Sequence, residues 1–288
     1  MNLDDGVGAA KQSDLADLAA QAAELVDQAD AIVVAAGAGM GVDSGLPDFR
    51  GTQGFWQAYP ALANARLDFA SVASPKTFAR DPRLAWGFYG HRLALYRATI
   101  PHEGFRILLE LGARTPLGLG VFTSNVDGQF QRAGFDAARV HECHGSIHHL
   151  QCTRPCCEDT WTADGFEPEV DEATCTLQGN PPICPHCGAL ARPNLLMFGD
   201  WDWIEVRSTA QASALNAWLT RSERPVVIEI GAGTAIPSVR FFTHSVVVNH
   251  AGRVVRINPT DCAVPSRHDV GMPFGAAQAL RAIKACLA

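Results

Sequence analysis

Two hydrophobic patterns alternate along the chain. Ala31 to Ala36 (AIVVAA), Leu117 to Thr123 (LGLGVFT), Pro225 to Ile230 (PVVIEI) and Val254 to Ile257 (VVRI) are short, nearly uninterrupted apolar runs. Such runs suit parallel strands buried on both faces. Between them, apolar residues recur every three or four positions in residues 14–29, Glu103 to Leu111, Ala210 to Leu219 and Gly275 to Leu287, the spacing of amphipathic helices. Strands alternating with helices predict an α/β fold built on a doubly wound parallel sheet. Two stretches break the rhythm. Residues 51–100 are rich in aromatics and arginine without a strand pattern, and residues 151–192 concentrate cysteines, prolines and acids. Both read as insertions between sheet strands.

At 288 residues, the chain is long enough to bury a full core without a metal or disulfide to hold it. It carries 23 Lys and Arg against 30 Asp and Glu, for a formal charge of −7. That balance argues against nucleic-acid binding, which needs a basic footprint. A content of 47% hydrophobic residues is that of a globular protein. No apolar run approaches the roughly 20 residues of a membrane span, and the acidic start lacks the order of a secretory leader. The chain therefore reads as cytoplasmic. Six of its nine cysteines fall between Cys152 and Cys187, a clustering that in a reducing compartment favours metal over disulfides. Cys184-Pro-His-Cys187 is one C-x-x-C knuckle, and Cys152 with Cys156 supplies a second pair of thiolates for a closed, tetrahedral, structural Zn2+ site. Cys157 is an alternative to Cys156, and Cys175 and His186 are further donors in the same stretch.

The first strand runs into Gly37-Ala38-Gly39, a turn whose glycines let the backbone approach a phosphate. Gly45-Leu46-Pro47-Asp48-Phe49-Arg50 follows. With these motifs the sequence resembles the sirtuin (Sir2) family of NAD-dependent protein deacylases, as a divergent member. Further segments match in order. Thr123-Ser124-Asn125-Val126-Asp127-Gly128 is similar to the family's T-Q-N-I-D-G, and His144-Gly145-Ser146 to its H-G-S. Arg192-Pro193 through Phe198-Gly199 resembles R-P-x-x-V-x-F-G. Gly231-Ala232-Gly233 stands where the family has G-T-S, and Ile257-Asn258 matches its I-N.

The resemblance implies a Rossmann-like lobe over about 14–50, 101–150 and 193–288 of a domain spanning 14–288. A smaller lobe would come from the helical insertion 51–100 and the zinc module 151–192. It implies NAD as co-substrate, held by Gly37, Ala38, Gly39, Asp48, Phe49, Arg50, Ser124, Asn125, Asp127, His144, Gly231, Gly233, Asn258 and Ala276. His144 would be the catalytic base on the ribose hydroxyls, a task suited to imidazole, and Asn125 would position the ribose or a water. The partner would be an acyl-lysine protein or peptide, paired as an added strand near Phe198 and Gly199. Nicotinamide, O-acyl-ADP-ribose and free lysine would be the products.

Three departures bear on chemistry: Gly41 replaces a family Ser, Ser124 a Gln, and Phe130 a His. The smaller side chains at 41 and 124 leave open protein ADP-ribosyl transfer or NAD hydrolysis on the same scaffold. A zinc-stabilised NAD-binding protein without turnover is a third reading, against which the retained Asn125, Asp127 and His144 argue. Tyr89 and Arg92 form a Y-x-x-R, three apart and so on one helix face. The pair resembles the acyl pocket of sirtuins that remove succinyl or malonyl groups, where Arg can grip a carboxylate with two hydrogen bonds.

Overall fold

A computed structural model of the chain describes the fold of residues 3–48 and 51–288, with side chains from residue 13 to 48 and from 55 onward. Phe49 and Arg50 lie outside the described residues.

In chain order the strands are β1 (Ala31–Ala36), β2 (Leu119–Thr123), β3 (Val140–Glu142), β4 (Gly145–Cys152), β5 (Trp161–Thr162), β6 (Glu169–Asp171), β7 (Thr176–Gln178), β8 (Ala191–Leu195), β9 (Pro225–Ile230), β10 (Arg253–Ile257) and β11 (Val270–Met272). Six of them form an all-parallel sheet in the order β11-β10-β9-β1-β2-β3. β1 shows why its sequence is apolar throughout. Ile32, Val34 and Ala36 face one layer of helices, Ala31, Val33 and Ala35 face the other, and all six are fully buried.

The first layer comprises the helices Leu3–Gln28, Glu103–Gly112 and Ala276–Cys286. In the first of these Ala19, Ala22, Ala23 and Val26 form the buried stripe, at the i, i+3, i+4, i+7 spacing of a helix face. Val206–Leu219 and Ser238–His250 cover the opposite face, through Leu215, Trp218, Val239 and Val246 among others. Residues 51–100 are helical over most of their length, and end in the long helix Pro82–Ala98. That helix shares an aromatic core of Phe55, Tyr59, Trp86, Phe88 and Tyr89 with the small sheet β5-β4-β8.

The sequence pattern missed the edge strands β3 and β11 of the central sheet, the strands β4 to β8 of the smaller sheets, and the helix Ser238–His250. Its segment SVRFFTHSVVVNH is rich in β-branched and aromatic residues, a composition that favours strands. Here packing against the sheet overrides that preference.

Candidate active site and metal centre

From β1 the chain proceeds outward through β2 and β3; from β9 it proceeds the other way through β10 and β11. β1 and β9 are adjacent, so the crevice at their carboxyl ends is the switch point where open α/β sheets take ligands. Both strands end there in Gly-Ala-Gly. The turns interlock: Gly37 N donates to Ile230 O at 2.9 Å and Gly39 N to Gly231 O at 3.1 Å. Within the first turn, Gly37 leads directly into the 3-10 turn Ala38–Met40.

A cleft of about 530 Å³ opens over this point. From the sheet side it is lined by Gly37, Ala38, Gly39, Gly231 and Gly233. From the helical side come Asp48, Phe69, Tyr89, Arg92 and Tyr96. The loops after β2 and β3 contribute Ser124, Asn125, Asp127 and His144, and the segment after β8 contributes Met197 and Phe198. Thirteen sequence-predicted residues thus meet on one cavity. Three do not line it. Asn258 is buried at the end of β10 and donates from Nδ2 to Ala232 O at 2.9 Å, bracing the second glycine turn from below. Ala276 is buried at the start of the last helix, and Gly199 takes a left-handed turn (φ 66°) just past Phe198.

Local hydrogen bonds fix the polar groups. Thr123 Oγ1 receives the Asn125 amide at 3.0 Å and donates to Ala36 O at 3.1 Å, while Asn125 Nδ2 donates to Gly37 O at 3.0 Å. The loop after β2 is therefore tied to the first glycine turn. Asp127 Oδ1 accepts the Gln129 amide at 2.9 Å. Burial pushes the Asp127 carboxyl up to about 6, with Glu142 acting in the same sense and the Gln129 amide and Arg92 opposing. His144 Nε2 lies 3.2 Å from Ser238 Oγ. Burial lowers its pKa, partly countered by a hydrogen bond with the Ser124 backbone, so the imidazole is neutral at physiological pH. Gly145, next to His144, is left-handed (φ 79°), and a Cβ there would lie 2.1 Å from Asn194 O in the adjoining β8. Only glycine lets β4 start that close to its neighbour.

A buried ion pair shapes the segment after β8. Arg192 grips Asp200 with two hydrogen bonds, at 2.6 and 2.9 Å, and the two side chains are 2% and 0% exposed. The loop is thereby folded back, with Leu196 N on His144 O and Phe198 N on Ala73 O, both at 3.0 Å. Leu196 and Phe198 remain exposed beside the cleft.

At the helical side, Arg92 is buried and donates from Nε and Nη2 to Tyr96 Oη at 3.0 and 2.8 Å. Tyr89 is buried with its ring stacked on Phe78, and burial raises its pKa despite nearby Arg92, so its phenol keeps its proton. Sequence reasoning missed Tyr96, although its i+7 spacing from Tyr89 puts it on the same face. It also missed Ser238, which sits far away in sequence with no local motif to mark it.

Cys152, Cys156, Cys184 and Cys187 come together with all four sulfurs within 4.8 Å of one another. Cys152–Cys187 and Cys156–Cys184 are each 3.6 Å apart. A tetrahedron with Zn–S bonds of about 2.3 Å has edges of about 3.8 Å, so the cluster fits zinc. Of the two neighbouring thiols, Cys156 is the one inside this set. Cys157 instead groups with Asp159 and His186, and Cys175 is buried in the aromatic core.

Fold, switch-point cleft and four-thiol cluster define an α/β nucleotide-binding protein with a zinc module. The Sir2 family model matches residues 37–220. The chain is 32% identical to NAD-dependent protein deacylase 2 of Pyrobaculum aerophilum, over 86% of this chain and 87% of that one. It is 38% identical to an NAD-dependent protein deacylase of Aeropyrum pernix, in an alignment spanning 57% of this chain and 58% of that one. Among solved structures it superposes on a Sir2 homologue–NAD complex with a TM-score of 0.68 at 24% identity, covering 92% of this chain and 94% of the other. The protein belongs to the Sir2 family. Among the described residues, no helix is long and apolar enough to cross a membrane.

Proposed function

We propose that the protein is an NAD-dependent protein lysine deacylase. The observation that carries this reading is the placement of a neutral, half-buried His144 on the same cleft as the paired glycine turns of the switch point. Bound NAD supplies the ADP-ribosyl group that takes the acyl chain once nicotinamide leaves. Gly37, Ala38, Gly39, Gly231 and Gly233 offer the close backbone approach that a pyrophosphate and ribose need, and Asn258 and Ala276 serve the adenosine end. Asp48 serves the nicotinamide ribose, a role that the family resemblance extends to Phe49 and Arg50. Ser124, Asn125 and Asp127 form the nicotinamide side, and Asn125 positions the ribose or a water. His144 removes the proton from a ribose hydroxyl, and being neutral it is ready to accept one.

The peptide adds as a strand along the segment that bears Phe198 and Gly199, which the Arg192–Asp200 pair holds in place. Tyr89 and Arg92 receive the acyl group, and their buried cation and phenol favour an acidic acyl chain over acetyl. Zinc on Cys152, Cys156, Cys184 and Cys187 has no open position for chemistry and holds the small sheet together. The large lobe is assigned to about 14–50, 101–150 and 193–288, and the small lobe to about 51–100 and 151–192. The reduced thiolates this site requires suit a cytoplasmic location.

The test is mass spectrometry of the purified protein incubated with NAD and matched acetyl-, succinyl- and unmodified-lysine peptides. O-acyl-ADP-ribose formed only with an acyl peptide is expected. Nicotinamide release without any acyl peptide, or ADP-ribosylated protein, would overturn the reading in favour of hydrolysis or ADP-ribosyl transfer.

A further inference from the structure

A second cavity, of about 260 Å³, lies across the wall formed by Tyr96 and Asp127, which line both spaces. Its lining combines three guanidinium groups with two imidazoles that burial keeps neutral. Arg97 comes from the end of the helix Pro82–Ala98, Arg132 from the short helix Gln129–Arg132, Arg207 from the first turn of Val206–Leu219, and His148 and His149 from β4. Asp127 is the one carboxylate among the lining residues.

The guanidinium groups are unequally committed. Arg97 is fixed by hydrogen bonds to Phe166 O and Ala163 O, both at 2.7 Å, and its ion-pair partner Glu167 is 3.5 Å away and 85% exposed. Arg207 pairs through Nη2 with Glu142 Oε2, but its Nη1 is buried and has no partner. His149 Nδ1 is likewise buried without a partner. Arg132 is exposed and makes no salt bridge among the described residues. The neighbouring acids, Glu142 and Asp164, both act on His148 and His149, yet Glu142 is already engaged by Arg207. Three guanidinium groups with unused donors therefore surround a space that Asp127 alone cannot neutralise. A buried N–H without an acceptor is unfavourable, and an oxyanion supplies several strong acceptors at once.

We propose that this cavity is a binding site for a small multivalent oxyanion of the phosphate or polycarboxylate kind. The site is separate from the NAD cleft and depends on no assignment made there. Calorimetric titration of the zinc-loaded full chain with inorganic phosphate, at low ionic strength and without NAD, should give saturable one-to-one binding. A parallel titration with citrate distinguishes the sources: the tighter of the two names the class. Arg132→Gln removes a charge that forms no ion pair among the described residues, and Arg207→Lys keeps the charge beside Glu142 but removes the guanidinium fork. Each should weaken binding about tenfold or more, with zinc content and melting temperature as checks on folding. Heats that do not saturate, that chloride reproduces at equal ionic strength, or that are unchanged in both variants would overturn the proposal.

Discussion

Gly37 and Gly231 end adjacent parallel strands and pack backbone against backbone. A Cβ on Gly37 would lie 2.8 Å from the Gly231 carbonyl oxygen, and one on Gly231 would lie 2.4 Å from Gly39 Cα. Gly231 is also left-handed, with φ 62°. Gly231→Ala should therefore carry both backbone strain and overpacking, about 2–4 kcal/mol together, read from urea unfolding, and should weaken NAD binding. A Cβ on Gly233 would meet nothing within 4 Å, so Gly233→Ser, which restores the residue expected of the family, should change stability by less than about 0.5 kcal/mol. Equal destabilisation by both substitutions would contradict the interlocked-turn geometry.

His144→Ala should abolish deacylation while leaving NAD binding measurable. In the unsubstituted protein the base must be unprotonated, and burial lowers its pKa below the usual 6.5. The rate should therefore fall on the acid side only below pH 6.5, in a profile of kcat/KM. A fully active His144→Ala protein, or an acid limb well above 6.5, would remove His144 from the role of base.

Stability should also decline towards acid pH. Burial depresses His141 and His149 to about 4, so between pH 4 and 6.5 the unfolded chain binds protons that the folded chain does not. Their contribution is full above 6.5 and is lost as pH falls. Asp127 works in the opposite sense: raised to about 6 from 3.8, it contributes below 3.8 and loses that contribution as pH rises through 6. His141 and His149 against Asp127 leave about one net proton, near 1.4 kcal/mol per pH unit, and His102, His144 and His148, also lowered by burial, add in the same sense. Urea unfolding at pH 7 and pH 5 should differ by roughly 1–3 kcal/mol, with the higher value at pH 7.

Much of this was legible in the sequence because the central strands are buried on both faces and so are apolar without interruption, as in Ala31–Ala36 and Pro225–Ile230. The glycine turns and the Asn125–Asp127 loop were legible too, since each is a run of neighbours in sequence. What escaped was assembled at long range. Ser238 reaches His144 from a helix 94 positions away, and Arg207 meets Arg97 and Arg132 only in the folded chain. Cys156 and Cys157 could not be told apart by spacing; the fold decides between them through which sulfur turns towards Cys184.

That distinction can be tested on the zinc module. Cys156 Sγ is 3.6 Å from Cys184 Sγ, whereas Cys157 belongs with Asp159 and His186. Cys156→Ser should lose bound zinc and lower the melting temperature, since metal affinity in a closed thiolate site is folding free energy. Cys157→Ser should retain one zinc per chain and melt close to the parent. Zinc content by atomic spectroscopy decides it, and loss of metal from Cys157→Ser alone would reverse the ligand assignment.

The proposed acyl pocket offers the sharpest contrast between two chemistries on one scaffold. Arg92 is buried, and its Nε and Nη2 are both engaged by Tyr96, which orients the guanidinium on the helix face it shares with Tyr89. Arg92→Met keeps much of the volume but removes the charge that would meet a succinyl or malonyl carboxylate. Hydrogen bonds to a charged group contribute about 1.5–3 kcal/mol, so kcat/KM for a succinyl-lysine peptide should fall by roughly tenfold to a hundredfold. An acetyl-lysine peptide has no carboxylate to lose, and its kcat/KM should stay level or rise. Tyr96→Phe tests the same geometry from the other side: it removes the phenol oxygen that orients Arg92 and leaves the charge in place, so the succinyl preference should weaken but persist. Equal losses on both peptides in Arg92→Met would mean that the arginine serves packing of the helix and not selection of the acyl group.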